Sequence, residues 1–127
     1  MDIDSLHKKD PALKLLGIKL ISAEAGHSEM TMEVLPSMQN AFGICHGGFI
    51  YTLADSAFAY ACNSYDFDAV AQGCTIDYVR PGKTGSILTA VAEEKNLTGR
   101  TGLYDITVTN EKQEIIAHFR GKSFRIR

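Results

Sequence analysis

Cysteine is scarce and odd in number: Cys45, Cys62 and Cys74 are the only three, and no two of them stand at CxxC spacing. That pattern speaks against a disulfide-stapled scaffold and against a zinc knuckle, and leaves free thiols in a reducing compartment as the expectation. No uninterrupted apolar stretch approaches the ~20 residues that a membrane-crossing helix needs. The first ten residues are polar and charged with no apolar signal core, so a cytoplasmic location is expected. A basic excess is missing as well, since 13 Lys and Arg stand against 15 Asp and Glu for a net charge of −2. With a pI near 6.0, no global field favours nucleic acid or an anionic membrane as the main partner. Linkers, low-complexity tracts and internal repeats are also lacking. One domain over residues 1–127 is expected.

The chain is 45% hydrophobic and 22% charged, ordinary for a soluble globular protein. Its 127 residues can bury a core, but a domain of this size has modest stability, and burial against partner subunits would help it. Residues 10–17 read as a short helix, with Pro11 in its first turn and Gly17 as its stop. Residues 18–25 and 27–35 read as two strands around Gly26; Met30, Met32 and Val34 alternate with Thr31 and Glu33. Pro36 opens a loop that runs to Cys45. The strongest helix signal follows over residues 46–63, where Ile50, Leu53, Ala54, Ala57, Phe58 and Ala61 recur at helical spacing. Beyond it lie strands over 69–79, 86–96, 102–109 and 114–125, separated by turn signals at Arg80-Pro81-Gly82, Leu97-Thr98-Gly99-Arg100 and Asn110-Glu111-Lys112. Two strands, one long helix and about four more antiparallel strands make an α+β chain. A strongly curved sheet wrapped around the apolar helix buries it best.

Two features could carry chemistry. Cys45-His46-Gly47-Gly48 opens the long helix, and two glycines there cost up to about 1 kcal/mol each relative to Ala. They let a ligand approach backbone N–H groups that have no intrahelical acceptor. Together with the positive end of the helix dipole, such donors would stabilise an oxyanion forming from a thioester carbonyl. The same glycines could instead serve only a tight loop-to-helix junction. The second feature is Asp55, which lies roughly 130° from the centre of the apolar stripe at 100° per residue. Its flank carries Tyr51, Phe58 and Cys62, and residues 57–61 leave the helix almost no polar side. An exposed charge and a partly desolvated base are both open to it, but a flank of that composition is expected to be covered, most simply by a second subunit.

Distance sharpens the point. Gly47 and Asp55 are eight residues apart, about 12 Å along a helix. Reacting groups must come within roughly 3 Å of the same carbon, or one bridging water away. If both act on one thioester, they come from different chains. Two such helices packed antiparallel about a two-fold axis would bring Asp55 of one near the N-terminus of the other.

Asn40, then His46-Gly47-Gly48, then Asp55 resembles the motif of hotdog-fold thioesterases, and more closely that of the phenylacetic acid degradation thioesterase family. The likeness continues through 53–62, 74–78, Arg80-Pro81-Gly82 and 119–123, covering most of residues 12–126. It implies a curved antiparallel sheet of five or six strands around one central helix, and hydrolysis of acyl-CoA thioesters, aryl-acetyl-CoA such as phenylacetyl-CoA or hydroxyphenylacetyl-CoA first among them. Asp55 would activate water, or attack to form an anhydride. The Gly47 N–H would polarise the carbonyl, Asn40 would position water or carbonyl, and His46 would hold the loop and the sulfur side. Coenzyme A, part of the substrate and not a cofactor, would cross a subunit interface, with Gly48, Tyr78, Arg80, Gly99, Arg100 and Lys122 as candidate contacts. The basic side chains among these would face phosphates, or else be plain solvated charges. Some relatives carry Ser or Thr after the helix to bind the attacking water; here the stretch is Ala71-Gln72-Gly73, with Gln72 as the substitute. A homodimer is required on this reading, and a dimer of dimers is expected.

Phe42, Tyr51, Phe58 and Tyr60 are available to line an acyl pocket. Cys45 beside His46 lacks an orienting third group and makes a poor nucleophilic pair. His7, His27 and His118 are scattered, and no metal-ligand constellation is visible. Two other readings stay open: a hotdog hydratase or dehydratase on acyl thioesters, and a non-catalytic acyl-CoA-binding protein.

Overall fold

The computed structural model describes residues 2–127. Helices α1 (Ile3–Lys8) and α2 (Pro11–Leu16) lead into strands β1 (Lys19–Glu24) and β2 (His27–Glu33). A 3-10 turn (Pro36–Met38) precedes helix α3 (Gly47–Cys62), and β3 (Ala69–Tyr78), β4 (Ile87–Thr98), β5 (Thr101–Thr109) and β6 (Ile115–Arg125) complete the chain. Every expected element is present, with no end moved by more than two residues. Helix α1 is the addition: Asp2 caps it by accepting from the Asp4 N–H, a signal that its polar surroundings hid in the sequence.

The six strands form one antiparallel sheet in the order β1-β2-β4-β5-β6-β3. Alternation does what period two dictates: Ser28, Met30 and Met32 on β2, Leu88, Ala90 and Ala92 on β4, and Tyr104, Ile106 and Val108 on β5 all turn inward and are buried. They meet Ile50, Leu53, Ala54, Ala57, Phe58 and Ala61 of α3, the stripe read from its periodicity. Burying a Leu- or Phe-sized side chain in this way contributes about 1.5–3 kcal/mol. The alanines matter for shape, because they let the sheet close onto the helix. Gly121 does the same from β6: a Cβ there would lie 2.8 Å from the Phe58 ring. Phe58 and Tyr60 are fully buried in this core, so the expectation that they line an acyl pocket is corrected; only Phe42 and Tyr51 remain accessible for it.

Edge strand β3 lies along α3 and is pinned at both ends. At the helix C-terminus, buried Asn63 accepts from the Ala69 N–H at 2.9 Å and donates to the Ala69 carbonyl at 3.0 Å. At the helix N-terminus, the Tyr78 hydroxyl donates to the Gly47 carbonyl at 2.9 Å. Ala71 pairs with Ser123 and Gly73 with Lys122, so Gln72 is the extra residue of a bulge. The strand's outer edge has no neighbour among the described residues.

Candidate active site

The loop before α3 is shaped by Asn40. Its backbone N–H donates to the Ile44 carbonyl at 2.8 Å, and its side-chain oxygen accepts from the N–H groups of Phe42 at 2.9 Å and Ile44 at 3.4 Å. The carboxamide is thereby oriented, with the oxygen spent on the loop and the NH2 left to donate outward. Phe42 is thrust to the loop tip, 88% exposed. The His46 N–H then donates to the Met38 carbonyl and the Cys45 N–H to the Gly82 carbonyl, both at 2.7 Å, which fixes where the helix begins.

His46 is the helix N-cap, and its Nδ1 accepts from the Gly48 N–H at 3.2 Å. This changes the count of open donors. The Gly48 N–H, expected to face a ligand, is occupied by the cap, whereas the Gly47 N–H has no acceptor among the described residues. Glycine at 47 is also demanded from the other side, because a Cβ would stand 2.9 Å from the Tyr78 ring. Cys45 is buried, its thiol pushed up by desolvation, and its sulfur donates to the His46 carbonyl at 3.5 Å. Nothing couples it to the imidazole.

Two grooves flank this first turn. One, of about 520 Å³, is lined by Asn40, Ile44, Gly47, Tyr78, Arg80 and Pro81, among others; the Arg80 guanidinium is held at its rim by the Ile115 carbonyl at 2.9 Å. The other, of about 400 Å³, runs between α2 and α3 and is lined by Ala12, Leu15, Leu16, His46, Gly48, Phe49 and Thr52.

Asp55 stands elsewhere, two turns along α3. Half-buried, it accepts no hydrogen bond from any described residue, and desolvation alone raises its carboxyl above the ordinary carboxylate range. The groups electrostatically coupled to it are Tyr51 and Cys62 on its own helix and Cys74 on β3. Tyr51 packs edge-on against Phe119, with ring centroids 5.2 Å apart.

The remaining candidates are dispersed. Gln72 and Lys122 share a shallow groove with Gly73, Cys74, Thr75, Leu103 and Arg120; Gln72 sits exposed on the bulge, and its side chain makes no hydrogen bond to any described residue. Gly99 and Arg100 form the β4–β5 turn, beside Thr101, which pairs with Phe124 and through it with Val70. Val70 and Tyr78 are eight residues apart on β3, about 26 Å at strand rise. Within one chain, then, Asn40, Gly47, Tyr78 and Arg80 come together, with His46 and Gly48 adjacent. Asp55, Gln72 with Lys122, and Gly99 with Arg100 do not join them. Among the described residues no group of His, Cys, Asp and Glu could hold a metal ion, and no helix is long and apolar enough to cross a membrane. Sequence reasoning missed Tyr78 as the cover of Gly47 and Cys74 as the neighbour of Asp55. The inward alternation of β3 was the available signal for both.

A six-stranded antiparallel sheet around one helix, with an open N–H at the helix start, defines the class, and the chain belongs to the thioesterase superfamily, whose family model matches residues 42–117. It is 48% identical to the acyl-coenzyme A thioesterase PaaI of Escherichia coli K12 over 96% of this chain and 87% of that protein. The structure of the E. coli PaaI protein from the phenylacetic acid degradation operon superposes with a TM-score of 0.96, at 47% identity, covering 98% of this chain and 90% of that one. A Streptococcus mutans UA159 protein solved with acetyl-CoA bound is 32% identical with a TM-score of 0.82, covering 86% of this chain and 88% of that one. The fold is the hotdog that the motif implied.

Proposed function

We propose that this thioesterase hydrolyses acyl-CoA thioesters to a free acid and coenzyme A, with aryl-acetyl-CoA as the preferred class. The observation that carries the reading is the pairing of an unbonded, desolvated carboxylate, Asp55, with an unused donor, the Gly47 N–H, on one helix. Water attacks the thioester carbon while Asp55 takes its proton; the carbonyl oxygen gathers charge against the Gly47 N–H; the C–S bond breaks, and the CoA sulfur leaves and is protonated. The Asn40 NH2 donates to the water or the carbonyl, and His46 holds the helix start. Likeness to an E. coli enzyme named as an acyl-CoA thioesterase supports the substrate, and its operon supports the aryl-acetyl group.

The two groups lie about 12 Å apart along one helix, so the site takes Gly47 from one subunit and Asp55 from its partner. Edge strand β3 supports this assembly. Its outer edge is open, and Val70, Tyr78 and Val79 are about half exposed beside it. Two β3 edges paired antiparallel set the Arg100 and Lys122 end of one chain beside the Tyr78 and Arg80 end of the other. The dispersed basic residues would then meet one CoA, with Gln72 and Gly99 near its path. The chain acts as one cytoplasmic domain in at least a dimer, and a dimer of dimers is the assembly expected.

The test is subunit mixing. Asp55→Ala and Gly47→Val chains, each inactive alone in a thiol-release assay on a panel of acyl-CoAs, are unfolded and refolded together. Half the dimers then pair unlike chains with one intact site each, and about a quarter of wild-type activity returns. No recovery from dimers verified as mixed would defeat the shared site. An Asp55→Ala protein as active as wild type would defeat the reaction itself.

A further inference from the structure

The substrate of the proposed reaction has two unlike ends, and the first turn of α3 has two unlike grooves. Gly47 lines the groove that holds Asn40, Tyr78 and Arg80, while its neighbours on either side, His46 and Gly48, line the groove between α2 and α3. The open Gly47 N–H therefore stands on the ridge between them. No charged side chain among the described residues lines the α2–α3 groove. Its polar groups are satisfied from within: the Gly48 N–H donates to His46 Nδ1 at 3.2 Å, and the Thr52 hydroxyl donates to the Gly48 carbonyl at 2.9 Å. The Phe49 ring meets the His46 ring edge-on, with centroids 6.2 Å apart, which holds an aromatic wall in place. Facing it across the groove are Ala12, Leu15 and Leu16 of α2, with Leu15 81% exposed. So short a helix is marginal alone, but this one is tied down along its length. The Tyr60 hydroxyl donates to Asp10 at 3.2 Å, Leu13 is buried in the core, and the Ile18 N–H donates to the Leu13 carbonyl at 2.8 Å. The groove is formed before any ligand enters it.

We infer that the α2–α3 groove takes the acyl group of the substrate, with Leu16 and Phe49 setting which acyl groups fit, and that the Tyr78–Arg80 groove takes the start of the CoA chain. This rests on the reaction proposed above. With the carbonyl oxygen on the Gly47 N–H, the two substituents of the carbonyl carbon diverge to the two sides of the ridge. Charge decides which goes where: Arg80 offers a partner to phosphate, whereas the walls made by α2 and Phe49 offer only carbon. A flat ring against Phe49 gains contact beyond its area burial, so the groove favours an aryl-acetyl group over an alkyl chain.

The experiment reads the two grooves separately, by calorimetric titration of the Asp55→Asn protein with free CoA, phenylacetyl-CoA and octanoyl-CoA. The affinity each thioester gains over free CoA measures the acyl site without turnover. Phe49→Ala in that background is expected to cut the phenylacetyl gain at least about tenfold. Leu16→Ala, which widens the groove, should shift preference towards octanoyl, and Ala12→Leu, which narrows it from an exposed position, should shift it back. Affinity for free CoA should hold in all three, while Arg80→Ala should weaken it and leave the acyl gain in place. Leu15→Asp sets a charge at the groove on a side chain that is already exposed, and repeats the loss of the phenylacetyl gain should Phe49→Ala fold poorly. Acyl gains that are absent, that ignore the Phe49 and α2 changes, or that fall equally in Arg80→Ala overturn the assignment. Sedimentation of the same proteins tests the other occupant: subunits that separate while the acyl gains stay fixed would give the groove to a second copy of the chain. Failure of the proposed reaction would show elsewhere, as an Asp55→Ala protein that still releases thiol, and would leave the binding result standing.

Discussion

The two working regions of α3 are built on opposite plans. Its first turn is open: Gly47 and Gly48 carry no side chains, one N–H is unused, and grooves lie on both sides. Its middle is closed: Asp55 lies under β3 among Tyr51, Cys62 and Cys74, with no donor of its own. A donor for developing negative charge works best where a substrate oxygen can reach it, while a base gains strength where bulk solvent and competing donors are kept off. One helix supplies both environments, but two turns apart. On the proposed function that separation, and not the identity of either group, is what would make the site depend on a second copy.

Asp55→Asn should widen the contrast most. The side chains are nearly isosteric, so kcat is expected to fall by at least about 10³-fold with assembly preserved. The same change should raise thermal stability. The folded-state pKa of Asp55 is raised, so its ionised form costs stability once pH rises through that value. The gain from Asn is therefore expected at neutral pH and lost below about pH 4, the ordinary carboxylate value. Melting curves at pH 7 and pH 4 check the sign, and a wild-type kcat–pH profile should lose rate as pH falls through a value above the usual carboxylate range.

Gly47→Ala attacks the open end. Its Cβ would press on the Tyr78 ring, displacing the ring or the helix start, and a misplacement approaching 1 Å costs on the order of 10²-fold in kcat. An unchanged kcat would show that the first turn has room to give. Asn40→Asp keeps the oxygen that holds the Phe42 and Ile44 N–H groups but deletes the outward donor. Thermal stability is expected to stay within about 1 kcal/mol, while kcat/KM drops roughly tenfold; Asn40→Ala should lower both. Arg120→Ala is the smallest perturbation. Its guanidinium clasps Asp105 at 2.6 and 2.9 Å on the exposed sheet face, where solvent screens the pair and leaves it a small contribution to stability. Asp105 is held below the ordinary carboxylate range by that guanidinium, so the contribution is present above about pH 4 and lost as pH falls further. Denaturant unfolding at pH 7 and pH 3 would show it.

Much of this was legible before any coordinates. The α3 stripe, the β2 alternation and the turns at Gly26 and Gly99-Arg100 are local patterns, and each became the expected element. Gly47 and Asp55 stood out because glycine at a helix start and a carboxylate among alanines both break local rules, whereas Asn40 and His46 were picked out by the family motif they share with them. The Gly48 donor and the acyl-pocket roles of Phe58 and Tyr60 went differently because each depends on what lies across space. A cap claims the Gly48 N–H, and curvature of the sheet closes over both aromatic rings.

The sequence by itself determined the hotdog order of elements, the residue types at the helix start and the eight-residue interval that keeps Gly47 and Asp55 apart, since periodicity and helical rise are properties of neighbours along the chain. Only the tertiary structure decided which amide stays free, which way the Asn40 carboxamide points, and that β3 lays Tyr78 on Gly47 and Cys74 beside Asp55. Those outcomes follow from strand register and from competition among hydrogen-bond partners distant in sequence, and no local pattern records who wins.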